Sequence, residues 1–198
     1  MAKYKLTDET KELEGHILYR IEALIDFNNV KKGDKGGWIE KESNNLSQYG
    51  DCWVYGNAIV CDDALVCDNA KVCDDAVVSG YAEVYDKALV RDKAVVCGNA
   101  KVCAYAVVCG DARVCGNAVV KGNAEIIGDA IIEKMGDYIV FHNWWSSGRF
   151  FTYTKSNNMW KVGCFYGTGE QLIKKAYADS EENGERYEAT VNSIKDIM

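Results

Sequence analysis

The sequence predicts a mainly β protein: a parallel β-helix of about five three-sided coils, with a β-hairpin cap before it and a small α+β domain after it. Three observations carry this prediction. From Ala58 to Ala130 every sixth residue is alanine, thirteen in succession. Two residues after each alanine stands Val or Ile, from Val60, Val66 and Val72 to Ile126 and Ile132. Most units then close on Gly or Asp followed by Asn or Asp, as in Val54-Tyr55-Gly56-Asn57-Ala58.

The unit Ala-x-Val-x-[Gly/Asp]-[Asn/Asp] sets two inward side chains one outward residue apart, which is the period of a strand and not of a helix. Its closing pair tolerates turn backbone, so each unit is a short strand and a corner. Three sides close a coil of eighteen residues, whose strands hydrogen-bond to the coils above and below at about 4.8 Å. Alanine fits the crowded corner and valine fills the axis. From Leu46 to Met135 the frame spans ninety residues, and its five coils give a rod roughly 24 Å long. Proline is absent, so glycine and asparagine must make the corners.

A stacked sheet leaves open edges at both ends, and open edges template aggregation unless something covers them. Residues 1–45 read as one cover, an N-terminal β cap. Tyr4 to Leu6 and Ile17 to Leu24 are its hairpin strands, followed by the turn-rich Lys32-Gly33-Asp34-Lys35-Gly36-Gly37 and then Trp38-Ile39. Residues 46–135 are the β-helix, and residues 136–198 read as a C-terminal α+β domain of three strands and two helices. Its strands are expected at Asp137 to His142, Arg149 to Thr154 and Met159 to Phe165, with Asn157-Asn158 as a hairpin turn. Thr168 and Gln171 form a capping box that starts a helix from Gly169 to Ala178, and a second helix runs from Gly184 to Ile197.

The 198 residues carry a formal charge of −7 with no cluster of Lys and Arg, which argues against general nucleic-acid binding. No export signal and no apolar run of membrane-spanning length is present, so the expected location is the cytoplasm, without a membrane partner. Seven of the nine cysteines (Cys61, Cys67, Cys73, Cys97, Cys103, Cys109, Cys115) follow the repeat at six-residue steps. Successive ones fall on different sides and do not converge as zinc ligands must, so they read as reduced packing residues and no metal site is expected. The corner acids from Asp62 to Asp92 read as turn chemistry, and no cofactor is expected.

With its repeat the chain resembles the hexapeptide-repeat family of left-handed β-helices, and the left hand is what that resemblance implies. One detail departs from the family pattern. The glycine or aspartate follows the inward aliphatic by two positions, as in Val114-Cys115-Gly116-Asn117-Ala118, and not immediately. Three further segments, Gly36-Gly37-Trp38-Ile39-Glu40, Asn45-Leu46-Ser47-Gln48 and Phe151 to Gly167, resemble uncharacterised bacteriophage-encoded hexapeptide-repeat proteins with an aromatic C-terminal domain. That resemblance implies a phage origin and a host cytoplasm as the workplace. Hexapeptide-repeat enzymes are mostly acyltransferases, but the histidine expected in the coils is missing, since His16 and His142 both lie outside the repeat.

The densest chemistry lies between Tyr138 and Tyr166, where ten of 29 residues are aromatic and cations are interleaved. Flat rings beside cations suit a planar anion such as a nucleotide. The candidate ligand-binding residues are His142, Trp144, Trp145, Arg149, Tyr153, Lys155, Trp160, Lys161 and Tyr166. Along one side of the rod run Ile59, Val77, Val95, Arg113 and Ile131, and the apolar members Ile59, Val77, Val95 and Ile131 are a candidate interface for a homo-oligomer, either trimer or dimer. The leading expectation is therefore a non-enzymatic, oligomeric phage protein that sequesters a small anionic ligand, in its sharpest version a host nucleotide immune signal. A protein-binding inhibitor of a host factor and a hexapeptide-repeat acyltransferase, which would lose activity in His142→Ala, are the alternatives.

Overall fold

In the computed structural model, which describes residues 2–197 (side chains to residue 194), the chain is a parallel β-solenoid with an antiparallel sheet and two helices at its C-terminal end. The hexapeptide repeat forms fourteen two-residue rungs, β4 (Trp53–Val54) to β17 (Ile131–Ile132), shared among three parallel sheets. Rungs eighteen residues apart pair in register: Val60 lies beside Val78, and Val78 beside Val96. This is the stacking that the spacing of alanine and valine predicts. From Ala58 to Ile132 each inward Ala, Val and Ile is at most 1% exposed, and together they form one continuous core. Burial of such aliphatic side chains is the main force holding the rod together, at about 1.5–3 kcal/mol each.

The corners explain the alternation of glycine and aspartate. In each unit from Gly50 to Gly128 the first corner residue has a positive φ, and it is Gly, Asp or, once, Ala104. Glycine adopts that backbone without strain and aspartate tolerates it. The aspartates do a second job. Oδ2 of Asp62, Asp68, Asp74, Asp86 and Asp92 accepts the backbone N–H of the corresponding residue one coil on, at 2.9–3.2 Å. The acids are a ladder that satisfies corner amides left outside the sheets.

The cap before the rod is larger than the sequence predicts. β1 (Tyr4–Leu13) and β2 (His16–Ala23) form a long antiparallel hairpin, and β3 (Lys35–Ile39) joins β2. β3 also pairs in parallel with the Ile59–Val60 rung, so the hairpin prolongs one side of the solenoid. The end of the rod is closed by polar groups. Lys3 is buried and its Nζ donates to the carbonyls of Gly50 and Cys52, while Asn45, wholly buried, accepts from the amides of Glu40 and Lys41 and donates to the carbonyls of Asp62 and Ala64.

Beyond the rod the structure has four strands where the sequence suggests three: β18 (Tyr138–His142), β19 (Phe150–Thr154), β20 (Met159–Val162) and β21 (Phe165–Thr168). The run from Met159 to Phe165 breaks at Gly163, whose φ of 55° makes a hairpin turn. One face of this sheet closes the last coil. Thr152 Oγ1 and Ser156 Oγ accept the amides of Glu125 and Ile131, and Tyr138 OH donates to the carbonyl of Val119. The other face packs on α1 (Gly169–Asp179) and α2 (Glu181–Ile197). The Thr168–Gln171 capping box forms as predicted. α2 begins before Gly184 because that glycine is not a break. A Cβ there would lie 2.1 Å from the Tyr177 ring, so glycine lets the two helices approach. Among the described residues no helix is long and apolar enough to cross a membrane.

Candidate functional site

The nine candidate ligand residues divide by their position in the C-terminal domain. Tyr153 and Trp160 are at most 5% exposed and form its core with Phe151, and Trp145 packs edge-on against Phe151 and Tyr187. Lys161 turns toward the rod, 3.3 Å from Glu125, and Tyr166 OH is bonded to Asn157 beside the last coil. His142 stacks on Phe150 and its Nε2 lies 3.2 Å from the carbonyl of Gly148. Trp144 is exposed beneath the Arg186 guanidinium, and Lys155 is exposed. Arg149 lines a cleft of about 300 Å³ between the loop after β18, the Gly163-Cys164 turn and the two helices, and Tyr153 and Trp160 line a separate, largely apolar cavity of about 420 Å³ with Thr168, Glu170 and Val191. The rings are interleaved with cations in sequence, but alternation along the sheet sends them to opposite faces.

A second cluster sits where the hairpin tip folds against the rod, and the sequence gives no hint of it. His16 starts β2, Glu40 follows β3 and Asp62 is a corner residue, so no spacing along the chain links them. The hairpin brings His16 Nδ1 to 3.2 Å from Glu40 Oε1, with Nε2 3.5 Å from Asp62 Oδ1. Each carboxylate is held by its second oxygen: Glu40 Oε2 accepts the Asp62 amide at 2.6 Å, and Asp62 Oδ2 accepts that of Gly80. The hydrogen bond to Glu40 raises the His16 pKa above its usual value, helped by the charges of Glu40, Asp62 and Glu14 and opposed by burial. Leu13, Cys61 and Ser79 complete a small cavity of about 100 Å³ around the imidazole. One donor atom from each of His16, Glu40 and Asp62 lies within 4.8 Å of the others. Because the two carboxylates address different ring nitrogens, the arrangement as it stands is an ion-paired imidazole and not a three-ligand chelate.

The cysteines near this cluster are poor nucleophiles. Burial, assisted by nearby carboxylates, pushes the Cys61 thiol beside it up to about 11, and Cys67 on another side of the rod is raised to about the same value, so thiolate is scarce at neutral pH. The apolar column is partly covered by the chain itself. Leu18 of the hairpin packs on Ile59, which is 8% exposed, and Val77 lies at the edge of that contact. Val95 is half-buried and Ile131, at 43% exposure, is open.

No model of a known protein family matches the chain. It is similar to an uncharacterised acetyltransferase, YdcK, of Escherichia coli (strain K12), at 38% identity over 63 residues. The likeness covers 28% of this chain and 19% of that protein, so the chain spans about a fifth of the relative it matches.

Proposed function

We propose that this hexapeptide-repeat β-helix is an acyltransferase in which His16 is the general base. The observation that carries the proposal is the His16–Glu40 pair at 3.2 Å, an imidazole oriented by a carboxylate and set in a cavity on the rod. The partial likeness to an acetyltransferase supports the same reaction class over ligand capture without catalysis. Glu40 holds Nδ1 and so fixes the tautomer, and Nε2, now 3.5 Å from Asp62 Oδ1, serves an acceptor hydroxyl or amine that enters between the ring and that carboxylate. Nε2 removes the acceptor's proton as its oxygen or nitrogen bonds to the acyl carbon; the carbon–sulfur bond of an acyl thioester breaks, and the departing thiolate takes that proton. Direct transfer is favoured over a cysteine acyl-enzyme because the neighbouring Cys61 thiol stays protonated.

The test is release of free thiol from an acetyl thioester in the presence of a panel of amine and hydroxyl acceptors. Thiol release should fall at least about a hundredfold in His16→Ala, the usual contribution of a positioned base, and should be retained in His142→Ala. Equal rates in His16→Ala and the unaltered protein would overturn the assignment. The reading also proposes self-association through the uncovered part of the column, Val95 and Ile131 with the exposed Arg113 between them, and mass measurement in solution of Ile131→Lys checks it. Ligand capture without catalysis remains the second reading, favoured by Arg149, which has no ion pair among the described residues, and it predicts binding with no thiol released.

A further inference from the structure

We propose that the C-terminal cleft is a binding site for a phosphate-bearing small molecule of nucleotide size, with the phosphate between Arg149 and Lys175. Its construction begins with Asn143, which is 3% exposed and fixes the loop that carries Arg149. Asn143 Nδ2 donates to Tyr187 OH at 2.8 Å, its Oδ1 accepts the Ser146 amide, and its own amide donates to the carbonyl of Arg149. A buried amide that ties the loop to α2 and to the base of β19 fixes the backbone from which the exposed Arg149 side chain leaves.

The guanidinium lies over the turn at Gly163, where its Nη1 would be 3.0 Å from a Cβ. A side chain at that position would crowd it. Among the described residues Arg149 forms no salt bridge and its guanidinium makes no hydrogen bond, and the same holds for the Lys175 ammonium on the facing helix α1. Two free cations on opposite walls of one concavity favour a doubly charged or bridging anion, and the planar fork of arginine suits phosphate oxygens. Asp179 lines the same cleft and would repel a bare anion, but it is an acceptor for the hydroxyl or amine groups of a larger ligand. Phe165 and Tyr187 supply apolar wall, and about 300 Å³ is at the small end of ligand sites. The cleft therefore selects a phosphate attached to a polar organic body over free phosphate. This site is separate from the imidazole at the hairpin, and neither proposal depends on the other.

The experiment is thermal melting and titration calorimetry of the full chain with AMP, ADP-ribose, glucose 6-phosphate and inorganic phosphate, beside adenosine as the uncharged control. At least one organic phosphate should raise Tm and bind more tightly than inorganic phosphate. Arg149→Ala and Lys175→Ala should each weaken that binding about tenfold or more, as loss of a charge-assisted hydrogen bond does, while Lys93→Ala on the rod leaves it unchanged. Alkylation of the exposed Cys164 on the cleft wall, read by peptide mass, gives a measurement that needs no variant: the bound phosphate should slow it. Absence of binding by all four phosphates, or equal affinity in Arg149→Ala, would overturn the proposal, as would binding that leaves Cys164 alkylation unchanged.

Discussion

Ala104 is the one corner residue of the repeat that holds a left-handed backbone with neither the freedom of glycine nor the side chain of aspartate, at φ 59°. That conformation costs an L-residue with a Cβ about 1–2 kcal/mol. Ala104→Gly removes the strain but adds about 0.5–1 kcal/mol of backbone entropy to be lost on folding, so the net gain is about 0–1.5 kcal/mol. Ala104→Asn should gain more. Asparagine tolerates the same backbone, and its amide oxygen stands where Asp86 Oδ2 stands one coil earlier, accepting the amide of Ala104 at 3.0 Å. Asn at 104 would accept the amide of Gly122 and continue the ladder without adding a third carboxylate above Asp68 and Asp86. With that bond the expected gain is about 1–2 kcal/mol, and at about 2–4 °C per kcal/mol for a chain of this size Tm rises by about 2–8 °C. Thermal melts followed by far-ultraviolet circular dichroism would measure it. If both variants melt at or below the unaltered protein, the strain argument and the ladder argument fail together.

Asn45→Ala removes a buried amide that serves two N–H groups and two carbonyls, so a loss of about 2–4 kcal/mol is expected in urea unfolding; less than 1 kcal/mol would mean that water replaces it. Val96→Ala should cost roughly 2–3 kcal/mol through its cavity in the axis, while the adjacent outward Val95→Ala should cost well under half as much, and equal costs would contradict the inward and outward assignment. Because the His16 pKa is raised in the folded state, its ion pair supports hairpin docking below about pH 6.5 and loses that support as pH rises through the raised value. As a base His16 is active on the other side of the same titration, so the transfer rate should climb through a pH above 6.5, and Glu40→Gln should move that limb to lower pH; an unmoved limb would remove Glu40 from the pair.

The solenoid is legible in the sequence because each position of a six-residue unit meets the same physical demand in every coil, and thirteen repetitions of Ala, of Val or Ile, and of a turn pair leave one solution. The corner aspartates were legible as turn residues. Their second role is not, because the partner amide is eighteen residues away and one aspartate looks like another. At the C-terminal end the order of strands and the capping box could be read, but the Gly163 turn could not be told from strand, and Gly184 looks like a helix break until Tyr177 is seen against it. The aromatic run is ambiguous for a related reason. Tyr153 and Trp160 are rich in binding chemistry as residue types, but strand alternation commits both to the helix-facing core.

The two candidate sites lie at opposite ends of the rod, and the repeat supplies the reason. An Ala-Val unit presents to solvent chiefly one rung residue and a corner, with its backbone amides committed to neighbouring coils, so groups that must converge on a ligand have to come from chain outside the repeat. His16 arrives on the hairpin and Arg149 on the loop after β18. Three and a half coils separate Asp62 from Glu125, about 17 Å of packed solenoid with no hinge residue such as an interrupting loop. Sites that far apart on a scaffold of one arrangement have no bistable element through which to couple, so their perturbations should be independent. The double variant His16→Ala, Arg149→Ala should lose stability equal to the sum of the single losses within about 0.5 kcal/mol. Phosphate binding should be the same in His16→Ala as in the unaltered protein; a dependence of either on the other would mean that the rod transmits strain between its ends.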